Sequence, residues 1–80
     1  MIRLFIPDVP EFRQVIEKAA QSAQRSGPAG DYVEFDSDEA ITVDRRAAGV
    51  RRAVWYSAIA ALSGGKVAQY DGDALRIEPA

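Results

Sequence analysis

The sequence predicts a small α+β domain: a two-layer sandwich in the order βαββαββ, whose mostly antiparallel sheet carries two helices on one face, a variant of the ferredoxin-like arrangement. Three patterns predict it. Ile2, Leu4 and Ile6 alternate with Arg3 and Phe5, which is the two-residue period of a half-buried strand. Val9, Phe12, Val15, Ile16, Ala19, Ala20 and Ala23 recur with the 3.6-residue period of a helix that buries one face. Asp71-Gly72 separates two strand-like runs, a strong short-range hairpin signal. Eighty residues suit one domain over 1–80, with a core too small for wide stability margins.

Pro7 ends the first strand, and Asp8 stands as a helix N-cap with Glu11 three residues on and Pro10 in the first turn. The helix is expected from Val9 to Arg25 or Ser26, where Ser26-Gly27-Pro28-Ala29-Gly30 makes a flexible link. Asp31–Phe35 reads as the second strand, Asp36-Ser37-Asp38-Glu39 as a polar turn and Ala40–Val43 as the third strand, together an acidic hairpin. Asp44 caps a second helix over Arg45–Ser63, closed by Gly64-Gly65. Lys66–Tyr70 and Ala74–Glu78 form the last hairpin. Both helices cover one face, and Arg3, Phe5, Tyr32 and Tyr70 are expected on the open one.

The inventory of side chains argues against catalysis. There is no histidine and no cysteine, which removes the commonest general base, the thiol nucleophile and nearly all zinc or copper ligands. No enzyme activity, cofactor or metal site is expected. Asp36–Glu39 departs from a calcium loop, since Ile41 holds the place where an EF-hand has glycine and the distal glutamate is missing. Absent cysteines point to a cytoplasmic setting, and no apolar stretch suits export or a membrane span.

Charge is segregated along the chain. Residues 31–44 hold six acids and no base, whereas residues 45–52 hold Arg45, Arg46, Arg51 and Arg52 and no acid. The plainer reading is mutual neutralisation of neighbouring blocks; the sharper one is a recognition surface. On the expected second helix Arg45, Arg52 and Tyr56 share the solvent side, while Trp55 and Ile59 lie at the margin of the apolar stripe. Completion of the core is the plainer role for Trp55, and an interface anchor is the alternative.

The stretches Asp44–Tyr56 and Gly64–Asp71 resemble small uncharacterised proteins of actinobacterial phages and their hosts. The resemblance implies a compact accessory protein or inhibitor that modulates a host process by binding a host protein. The leading expectation is therefore a non-enzymatic interaction module. Its partner-binding residues are Arg45, Arg46, Arg52, Trp55, Tyr56 and Ile59, with Asp36, Asp38 and Glu39 of the acidic hairpin. Nucleic-acid binding through the Arg45–Arg52 cluster is the second class, disfavoured by six adjacent acids that repel phosphates. Self-association as a homodimer, through an edge strand or the open sheet face, is the third.

Overall fold

A computed structural model describes all residues from Met1 to Ala80. The chain is α+β, with seven strands in two antiparallel sheets and two short helices. The order is β1 (Ile2–Pro7), a 3-10 turn at Pro10–Phe12, α1 (Arg13–Ala19), β2 (Gln24–Ala29), β3 (Tyr32–Ser37), β4 (Ile41–Asp44), α2 (Arg52–Trp55), β5 (Ala61–Ser63), β6 (Gly65–Tyr70) and β7 (Ala74–Pro79). One sheet has the order β2-β3-β1-β5, the other β4-β7-β6. The expected single sheet beneath two helices is thus replaced by two sheets facing across one core. No helix is long and apolar enough to cross a membrane.

The alternation read in β1 holds: Ile2, Leu4 and Ile6 are fully buried, and Leu4 and Ile6 pair with Phe35 and Val33 across the β1–β3 register. Ile41, Val43, Leu75 and Ile77 supply the opposing layer from β4 and β7. Phe12, Val15, Ile16 and Ala19 complete the core from the first helical segment, and α1 packs chiefly on β4. The β6–β7 hairpin forms around Asp71–Asp73 as its turn residues dictate.

The first helix is far shorter than its apolar stripe, for a tertiary reason. Gln24 and Arg25 pair with Asp36 and Phe35, and Pro28 and Ala29 pair with Val33 and Tyr32, so the supposed link is an edge strand. Gly27, with φ of 103°, sits in the bulge between the two pairings. Asp8 does not cap with its side chain; its backbone N–H donates to the carbonyl of Asp31.

The second helix is reduced to Arg52–Trp55. Asp44 does cap, but what it caps is a turn: its Oδ1 accepts the N–H groups of Arg46 (2.9 Å) and Ala47 (3.3 Å). Gly49 then takes φ of 64°, breaking the helical path. Downstream, Ala61–Ser63 completes the open edge of β1 as β5, and the N–H of Ala60 donates to the carbonyl of Phe5. Satisfying an otherwise unpaired strand edge outweighs the few tenths of a kcal/mol per residue, roughly, that alanine-rich sequence gains in a helix.

The acidic hairpin also dissolves, because β3 and β4 belong to different sheets. Asp38–Ala40 crosses between layers, and Ser37 organises the crossing: its hydroxyl accepts the N–H of Glu39 and donates to that residue's carbonyl. Gly64 keeps the left-handed conformation expected of it, with φ of 71°, but it turns the chain from β5 into β6 instead of closing a helix.

Candidate interaction surface

The β6–β7 turn organises one end of the molecule. Asp71 Oδ1 accepts the N–H groups of Asp73 (2.9 Å) and Ala74 (3.0 Å), and Oδ2 accepts from the Gln69 amide (3.0 Å). These donors, that of Asp73 first, hold the Asp71 carboxyl below its usual range. Three of the four arginines of the basic block converge on this turn. Arg45 donates through Nε to the carbonyl of Gly72 and through Nη1 to that of Val50. Arg46 faces Asp73 at 3.8 Å, with both side chains exposed. The Arg52 guanidinium lies over Gly72, where an added Cβ would meet Nη2 at 3.0 Å.

An aromatic ladder rises beside the turn, from core to solvent. Trp55 is fully buried, and its Nε1 donates to the carbonyl of Asp71 at 2.6 Å. Tyr70 meets Trp55 edge to face at 5.7 Å and donates its hydroxyl to the Trp55 carbonyl at 2.6 Å. Partial burial raises the Tyr70 phenol above its usual value, since the ionised form is poorly solvated there. Tyr56 lies against Tyr70 at a centroid distance of 5.1 Å and remains half exposed.

Several expected roles change accordingly. Trp55 is withdrawn as a surface anchor, because no part of it reaches solvent; it braces Tyr70 from below. Ile59 is half-buried against the core and offers little surface. Arg45 shares no helix with Arg52 and Tyr56, and its donors serve backbone carbonyls. Arg46, Arg52 and Tyr56 do share the exposed end. Tyr70 is absent from the open face expected to hold it, whereas Arg3, Phe5 and Tyr32 share the outward side of the first sheet.

The acids are placed elsewhere. In the β4–β7 ladder Ile41 pairs with Ile77 and Asp44 with Ala74, so Asp38 and Glu39 precede one end while the arginines follow the other. Asp36 is on the outward side of β3, bonded by the Ser26 hydroxyl at 2.6 Å, with Arg3 opposite on β1. That bond lowers the Asp36 carboxyl, while hydrogen bonding to Asp36 raises Glu34 two residues away. Asp36 Oδ1 is enclosed without a hydrogen-bond donor. The two charge blocks therefore do not neutralise each other; Asp73 meets Arg46 instead.

Sequence reasoning missed the scaffold of this surface, which is Tyr70 with Asp71–Asp73. The Asp-Gly signal located the turn, but nothing in it announced that arginines 20 to 27 residues before Gly72 would fold over it. A separate groove of about 380 Å³ lies between α1 and β2, where Asp8, Arg13, Glu17 and Arg25 surround Ile16. It contains no nucleophile, and nowhere do three acidic side chains gather closely enough to hold a metal ion. No protein-family model, curated protein or solved structure matches this chain.

Proposed function

We propose that this protein is a non-enzymatic interaction module, acting in the cytoplasm as a phage-type accessory protein, and that it engages a protein partner through the exposed end built by α2 and the β6–β7 turn. The observation that carries the reading is Tyr56: a large aromatic ring half in solvent yet held against Tyr70, which is itself tied to buried Trp55. A ring fixed before binding loses little conformational freedom when a partner covers it. Exposed Arg46 and Arg52 lie alongside, and tyrosine and arginine are the residue types that dominate binding energy at interfaces.

Nucleic acid is the weaker alternative, because Asp44, Asp71 and Asp73 stand among the four arginines and leave that end only one net positive charge. The four sheet edges are poor templates for self-association: β2 carries Pro28 and a bulge, β6 carries Lys66 and a bulge, and β4 and β5 are only four and three residues long. The reading is tested by partner capture from lysate of the native host. Tyr56→Ala and Arg52→Ala should abolish capture with unchanged circular dichroism, whereas capture equal to that of the unaltered chain by both variants rejects it.

A further inference from the structure

Residues 44–52 and the β6–β7 turn together carry four arginines and three aspartates, and the hydrogen bonds show which charges are already committed. Asp44 Oδ1 is occupied by the N–H groups of Arg46 and Ala47. Asp71 uses both oxygens on the turn's N–H groups and the Gln69 amide. Asp73 faces Arg46, and Arg45 is satisfied by the carbonyls of Gly72 and Val50. The only two ion pairs in the molecule are Arg46 with Asp73 and Arg76 with Glu78. Arg51 and Arg52, adjacent and exposed, have no carboxylate partner, and Tyr56 follows Arg52 by one helical turn.

We infer that the partner presents an acidic peptide segment, whose carboxylates meet Arg51 and Arg52 while an apolar side chain beside them covers Tyr56. The inference rests on the reading of this end as the interaction surface and adds the chemistry of what it meets. Guanidinium groups bind carboxylates with paired, charge-assisted hydrogen bonds. A peptide can space its acids to avoid Asp71 and Asp73; a phosphate backbone carries charge at every step and cannot.

The test uses the full chain, labelled for amide NMR, at low ionic strength. It is titrated with a synthetic glutamate-rich peptide containing one central tryptophan, with the same peptide carrying lysine for glutamate, and with a single-stranded oligonucleotide of equal length. Amide shifts are expected across residues 51–57 and 70–73 with the acidic peptide and none with the basic one. Arg51→Gln should weaken the acidic peptide about tenfold, in line with loss of a hydrogen bond to a charged group. Raising ionic strength from about 0.02 to about 0.3 M should weaken it further by screening. Arg13→Gln, on α1, should bind as the unaltered chain does. No response to the acidic peptide, an equal response to the basic one, or tighter binding of the oligonucleotide overturns the inference. If lysate capture still depends on Tyr56 when the acidic peptide fails, the surface stands and only the acidic preference falls.

Discussion

Trp55→Ala should cost this domain much of its stability. The side chain is the largest fully buried one, it donates to the Asp71 carbonyl, and it backs Tyr70. Truncating a buried tryptophan costs about 3–5 kcal/mol. A chain of this length has roughly 4–12 kcal/mol in total, at 0.05–0.15 per residue. At about 4–8 °C per kcal/mol, Tm should fall by at least about 12 °C. Trp55→Phe separates the two contributions: it keeps most of the apolar volume but strands the Asp71 carbonyl, at a cost of about 1–3 kcal/mol. Trp55 is the only tryptophan, so unfolding in urea is best followed by far-ultraviolet circular dichroism. Combining Trp55→Phe with Tyr70→Phe should give a coupling of at least about 0.5 kcal/mol, since the two residues touch. A loss below about 1 kcal/mol for Trp55→Ala, typical of surface positions, would refute the burial and free Trp55 for an interface.

Three further outcomes follow from particular contacts. Gly64→Ala should destabilise by more than about 2 kcal/mol in urea titration, because a Cβ at φ of 71° would strike the Met1 carbonyl oxygen as well as straining the backbone. Arg45→Met should cost about 1–3 kcal/mol by the same assay, since it leaves the carbonyls of Gly72 and Val50 without their donors. In carboxyl NMR titrations Asp36 should titrate below its ordinary 3.8 and Glu34 above its ordinary 4.5. Asp36 therefore contributes stability above pH 3.8 that is lost as pH falls through its lowered folded value, whereas Glu34 contributes below pH 4.5 and loses that contribution as pH rises through its raised one. Asp36→Asn should bring Glu34 back down; an unmoved Glu34 midpoint would show that Asp36 is not what raises it.

Residue patterns acting over a few positions were legible in the sequence. The alternation of β1, the β6–β7 turn and the apolar positions Phe12, Val15, Ile16 and Ala19 all follow from local geometry, and each is present; Asp44 accepts backbone N–H groups and Gly64 is left-handed, but at a turn and between two strands instead of at the ends of a helix. The same local reasoning overextended both helices. An alanine-rich stripe fits a helix, but Gln24–Ala29 is taken by the edge of the next strand, β3, and Ala61–Ser63 by the open edge of β1 at the far end of the chain. Of the candidate site, Tyr56, Arg46 and Arg52 could be named in advance; Trp55 could be read either way, and burial decided it.

The missing imidazole and thiol, the antiparallel hairpin and the segregated charge are properties of composition and neighbouring residues, so the sequence determined them by itself. Which strands pair, whether β3 meets β4, and which acid neutralises which arginine depend on contacts that reach up to 60 positions along the chain, as between Arg3 and Ser63. Local propensities of a few tenths of a kcal/mol per residue, roughly, cannot resist the demand that every buried backbone group find a partner. Only the folded chain could bring Arg45, Arg46 and Arg52 onto the Asp71–Asp73 turn and leave Arg51 and Arg52 without an acid of their own.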